Sequence, residues 1–129
     1  MKTIIAGSRK CDSYGELLAA IRISNFDITE VVSGCAKGID TLGEQWAVTH
    51  NIPIKRFPVT KDDWVHIGKS AAMIRNGNMA DYSDALIAIW DGKSSGTKDM
   101  IIKARKKGLK VCVWNYIRQQ QEFEQLRLF

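Results

Sequence analysis

The sequence predicts an α/β fold: a three-layer, Rossmann-like, doubly wound parallel sheet of about five strands in the order 3-2-1-4-5. Short apolar runs of strand length alternate with segments whose apolar residues recur at helical spacing. No linker, repeat or low-complexity tract interrupts that alternation. Right-handed crossovers between successive strands then put helices on both faces of one parallel sheet.

Thr3-Ile4-Ile5-Ala6 reads as a short buried strand, and in the following SYGELLAAIRIS the residues Leu17, Leu18, Ala20 and Ile21 share a helical face behind Ser13 as N-cap. Glu30-Val31-Val32-Ser33 is the second strand. The helix after it starts near Gly38 and repeats Ile39, Leu42, Trp46 and Ala47 at helical spacing. IPIKRFPV, residues 52–59, alternates as a third strand, and the turn-rich TKDDW leads into a helix carrying Ile67, Ala71, Ile74 and Met79. DALIAIW, residues 84–90, is apolar enough to be a strand buried on both faces. A helix with Met100, Ile101 and Ala104 follows, Gly108 ends it, and Leu109 to Val113 form the fifth strand. Residues 1–114 thus make one domain. Residues 115–129 form a C-terminal tail in which Tyr116, Phe123 and Leu126 recur at helical spacing, either a helix lying on the domain or on a second copy in a homodimer, or a frayed end.

Composition narrows the function. With 129 residues, 45% hydrophobic and 26% charged, the chain can bury a single core unaided. No apolar run approaches the roughly 20 residues of a membrane span, and the apolar stretch in MKTIIAGSRK is too short for a signal peptide, so a cytoplasmic protein with no membrane partner is expected. Cys11, Cys35 and Cys112 lie far apart, with no spacing that suits zinc, and read as reduced thiols; no metal is expected. The net charge of +5 fits a polyanion, either a nucleotide phosphate or, less favoured, a nucleic acid. Much of the excess lies in KARKKGLK, Lys103 to Lys110, where a solvated helix end is the favoured account of it.

In a doubly wound sheet, ligands bind beyond the carboxyl ends of the strands where the strand order reverses, here between strands 1 and 4. Three loops reach that edge. AGSR supplies Gly7, Ser8 and Arg9, a small residue, a hydroxyl and a guanidinium suited to phosphate. SGCAKGID supplies Ser33, Gly34, Lys37, Gly38 and Asp40 at the start of a helix, with Asp40 either facing a ligand or capping locally. DGKSSGT supplies Asp91, Gly92, Ser94, Ser95, Gly96 and Thr97, read as a phosphate cradle of main-chain N–H groups or as a turn with a serine cap. Arg75 and Asn76, in IRNGNM before strand 4, are further ligand contacts, or Arg75 is simply a surface arginine. Trp64 and Trp90 offer planes for a base or for packing. The patterns GxxxxGK[ST] and GxGxxG are absent, and no cofactor is expected.

AGSR, VVSGCAKGIDTLGEQWA, DDW, GKSAAMIRNGNMADYSDALIAIWDGKSSGTKDMI and GLKV, in this order, resemble the YspA-like proteins of the SLOG Rossmannoid superfamily, relatives of the Lonely Guy phosphoribohydrolases and of DprA. The resemblance runs from Met1 to about Val113. It implies a pocket for a nucleotide or phosphorylated small molecule, with Gly92 to Thr97 on the phosphate, Arg75 and Asn76 on the same ligand, and Gly7, Ser8 and Arg9 opposite. It also implies an alternative, N-glycosidic cleavage of a nucleoside monophosphate, with Arg75 on the phosphate or leaving group and Asp99 as acid or nucleophile. The loop departs from the Lonely Guy pattern GGxGTxxE, since Met100 stands where the glutamate is expected. Cys35 stands where a glycine is expected, either as a tolerated small side chain or as a thiol activated at a helix start. A DprA-like role on single-stranded nucleic acid is the remaining implication.

Overall fold

The computed structural model describes residues 1–122. Its elements are β1 (Lys2–Gly7), α1 (Tyr14–Ser24), β2 (Glu30–Ser33), α2 (Ile39–Thr49), β3 (Ile54–Arg56), α3 (Lys61–Ile67), α4 (Ser70–Tyr82), β4 (Ala85–Trp90), α5 (Ser95–Lys106), β5 (Lys110–Asn115) and β6 (Gln120–Glu122). They build one six-stranded sheet in the order β3-β2-β1-β4-β5-β6. The expected 3-2-1-4-5 arrangement is present, all parallel, and β6 adds an antiparallel edge by pairing Val113 with Glu122.

Alternation along the strands divides the core into two layers. Ile4, Val32, Leu86 and Ala88 face Met79 of α4 and Met100, Ile101 and Ala104 of α5. Ile5, Val31, Ile87 and Ile89 face Leu17 and Ala20 of α1 and Ile39 and Trp46 of α2. Both faces of β4 are covered and all six of its residues are buried, as a central parallel strand requires. Ser13 caps α1 by accepting from the Glu16 amide, and Gly108, at φ 76°, closes α5.

Three expectations are corrected. The third strand covers only Ile54–Arg56, because Pro53 and Pro58 bracket it and proline carries no N–H for the ladder. The single helix expected after TKDDW is two. Thr60 and Asp63 form a capping box that starts α3, while Gly68, at φ 72°, ends it and turns the chain into α4. The break leaves Ile67 and Ile74 exposed, whereas Ala71 and Met79 pack inward. Finally, residues 116–122 are not helical. Asn115 Oδ1 accepts the amides of Ile117 and Arg118 at 3.1 Å each, Gln119 takes φ 51°, and the chain doubles back as β6. Phe123 and Leu126 of the expected helix lie outside the described residues.

Candidate functional site

The loop from β2 to α2 is held in shape by polar side chains. Ser33 Oγ donates to Glu44 Oε2 at 2.6 Å and accepts the Cys35 amide at 3.1 Å. Glu44 Oε1 in turn holds Arg56, 2.9 Å from its Nε. Cys35 sits at φ 61°, in the left-handed region that favours glycine, the residue expected here. Its thiol is pushed up from the ordinary cysteine range, first by burial and then by the Glu44 charge, the opposite of the lowering that activates a thiol at a helix start.

Behind the loop, buried Asp40 accepts the Ala36 amide at 3.1 Å. Burial pushes its carboxyl up to about 6; Glu44 adds to the rise, while the Ala36 amide, Arg75 and Arg9 work against it. Asp40 therefore does what its local alternative described, and it also supplies a titratable charge beside an arginine.

Arg75 reaches this loop from α4. Its Nη1 donates to the Gly34 carbonyl and its Nε donates to Asn76 Oδ1 at 3.1 Å. Nη2 makes no hydrogen bond among the described residues. A Cβ on Gly34 would stand 2.6 Å from Arg75 Nη1 and 2.9 Å from Asp40 Oδ2, so a side chain here would push the two charged groups off this loop. Burial lowers the guanidinium's proton affinity, and the Asp40 carboxylate offsets the effect. Asn76 is buried and fully used: its Nδ2 donates to Gly96 O at 3.3 Å and to Asp99 Oδ2 at 3.0 Å. Lys103 Nζ completes the strut, 2.8 Å from Asp99 Oδ2 and 2.8 Å from the Met73 carbonyl. Asp99 thus braces α4 against α5, with its carboxylate shared between Asn76 and Lys103, and Asn76 holds Arg75 instead of facing open space.

A cleft of about 390 Å3 opens above Arg75, within the usual range of roughly 300–1,000 Å3 for a small-molecule site. Arg9, Gly34, Cys35, Ala36 and Arg75 line one side. Val59, Thr60, Lys61, Trp64 and Val65, from α3 and the chain entering it, line the other, and Ala72 of α4 completes the lining. Arg9 is exposed and makes no ion pair or hydrogen bond among the described residues. Except for Trp64, the α3 side was not legible as a site; the T-x-x-D spacing of its capping box was the available signal.

The loop from β4 to α5 is built differently. Asp91 Oδ1 accepts the amides of Lys93 and Ser94 at 2.8 and 2.7 Å and the Ser94 hydroxyl at 3.0 Å. Partial burial works to raise this carboxyl, but the Ser94 and Lys93 amides and the Ser94 hydroxyl together hold it below the ordinary aspartate range. Gly92, at φ 85°, makes the turn. Part of the expected cradle therefore contains the chain's own carboxylate, and Ser95, Gly96 and Thr97 are left as the first residues of α5, where helix N–H groups lack intrahelical partners.

Gly7, Ser8 and Gly38 have packing roles. A Cβ on Gly7 would lie 2.3 Å from Ile89 O, and one on Gly38 2.6 Å from Ser8 O. Ser8 is buried and turns the chain, its Oγ accepting the Lys10 amide at 3.3 Å. Lys37 is exposed and does not line the cleft. Trp90 is buried and donates from Nε1 to Ser94 O at 3.1 Å, which commits it to packing. Among the described residues no group of three or more His, Cys, Asp or Glu is placed to hold a metal, and no helix is long and apolar enough to cross a membrane.

No protein-family model matches the chain, and no curated protein matches it. Among solved structures it is similar to DNA processing protein A (DprA) from Streptococcus pneumoniae, with a TM-score of 0.66 and 22% sequence identity, covering 87% of this chain and 49% of that one. The chain spans about half the length of that neighbour, and the likeness is one of fold.

Proposed function

We propose that the chain binds a nucleotide or a nucleotide-derived phosphorylated small molecule in the cleft between the β2–α2 loop and α3. One observation carries this reading. Arg75 is oriented by two hydrogen bonds to the protein, makes none from Nη2 among the described residues, and lines the cleft together with Arg9, which has no partner among the described residues. An arginine whose entropy has already been lost, and whose fork is half used, is suited to a phosphate oxygen. The likeness of the motifs to YspA-like SLOG proteins supports the same ligand class. Titration calorimetry with AMP tests it. Replacing one charge-assisted donor costs about 1.5–3 kcal/mol, so Arg75→Gln should weaken AMP by roughly 10- to 100-fold. Equal affinities in the two proteins, or no binding by either, contradict the reading.

A second reading, binding of a nucleic-acid strand, is favoured by the fold shared with DNA processing protein A and by the basic end of α5. Phosphates along a strand would make binding fall steeply with salt, whereas a mononucleotide releases few counterions. A gel shift of single-stranded DNA that weakens steeply between low and moderate salt supports the strand, and no shift even at low salt removes it.

A further inference from the structure

Resting on the proposed nucleotide cleft, we infer that α3 is its base-recognition wall: Trp64 stacks on the heterocycle of a nucleotide whose phosphate lies toward Arg9 and Arg75. The four tryptophans are not equivalent. Trp46 and Trp90 are buried, at 8% and 7% exposure, and Trp114 donates its indole N–H to Glu16 Oε2 at 2.7 Å. Trp64 is 46% exposed, has no hydrogen-bond partner for its indole among the described residues, and stacks on no other ring.

The fold gives no packing reason for this residue. Helix α3 has no buried residue at all, and its ends are fixed locally by the Thr60–Asp63 box and by Gly68. Apolar side chains on such a helix stabilise nothing in the core, yet Trp64 and Val65, the latter 78% exposed, both line the cleft. The two sides of the cleft differ in chemistry. Arg9 and Arg75 are cationic and hydrogen-bonding, while Val59, Trp64, Val65 and Ala72 are apolar, with Thr60 and Lys61 the polar residues among them. A molecule with a planar apolar ring at one end and an anion at the other covers both. A sugar phosphate covers only one, and inorganic phosphate leaves the tryptophan bare. The ligand class is therefore a base-bearing nucleotide.

Calorimetry with AMP and with ribose 5-phosphate, on the wild type, Trp64→Ala, Trp64→Phe and Arg75→Gln, tests this. Base–aromatic stacking is worth about 1–3 kcal/mol per base on truncation to alanine, so AMP should bind the wild type at least about 5-fold more tightly than ribose 5-phosphate. Trp64→Ala should erase most of that ratio and leave ribose 5-phosphate within about two-fold, and Trp64→Phe should retain most of it. An unchanged ratio in Trp64→Ala, or equal binding of the two compounds by the wild type, overturns the wall while the Arg75→Gln response keeps the anion site. Should neither compound bind, or neither respond to Arg75→Gln, the underlying reading falls with it. Because no residue of α3 is fully buried, the urea midpoint of Trp64→Ala should stay close to that of the wild type. A large drop would mean that the tryptophan supports the fold, and would also overturn the inference.

Discussion

The loops after β2 and after β4 have similar composition, small residues and hydroxyls leading into a helix, but they put opposite charges to use. The β4 loop folds around Asp91, whose carboxylate takes the Lys93 and Ser94 amides that an incoming anion would need. The β2 loop instead closes on a cation from another helix, with Arg75 donating to the Gly34 carbonyl and Asp40 behind it. An anion arriving at the first meets a charge of its own sign; at the second it meets a guanidinium with capacity to spare. Small residues open the backbone in both places. What occupies the opening is decided by one acid near the β4 loop and one arginine far from the β2 loop in sequence.

The glycines offer the largest contrast. Gly34→Ala forces a methyl group against Arg75 and Asp40, and overpacking of this kind costs about 1–3 kcal/mol, so both urea stability and AMP affinity should fall. Gly96→Ala meets nothing within 4 Å, and within a helix it should gain roughly 0.5–1 kcal/mol. If Gly34→Ala is silent and Gly96→Ala abolishes binding, the two loops have been assigned the wrong way round.

The carboxylates should give pH dependences of opposite sign. Asp40 is raised to about 6 in the folded state, above roughly 3.9 when unfolded, so its protonated form favours folding. Between about pH 4 and 6 the folded chain therefore holds the extra proton, and stability falls as pH rises through that window by on the order of 3 kcal/mol. Asp40→Asn should remove this slope from a series of urea curves. Asp91 is held below its ordinary range, so what it contributes is present at neutral pH and is lost as pH falls through its folded value. Asp91→Asn keeps an acceptor but loses the charge, and should lower the urea midpoint at pH 7. It should leave AMP affinity within about two-fold if the ligand sits at the β2 side, and strengthen it markedly if the ligand sits at α5.

Most of the fold was legible because its signals are local and periodic. The alternation of Ile4 with Ile5 and the buried run from Ala85 to Trp90 specify two-sided strands whatever the loops contain. The parts that escaped depend on contacts between distant residues or on single turns. Gly68 divides one helical pattern into α3 and α4, and Asn115 reverses the tail into β6. In the site, Arg9, Gly34 and Arg75 were identified from residue type and do line the cleft. Asn76 and Asp99 read as ligand or catalytic groups because a polar side chain near a loop looks the same whether it faces solvent or a neighbouring helix. Only the Lys103–Asp99–Asn76–Arg75 chain, which joins α4 to α5, reveals the strut.

The most direct measurement is an amide chemical-shift titration of the 14.5 kDa chain with AMP. Shifts concentrated at Arg9, Gly34, Cys35, Ala36 and the Trp64 indole N–H are the predicted result. Shifts confined to Lys93 through Thr97, with Gly34 and Trp64 unmoved, would contradict the account and return the anion to the loop after β4.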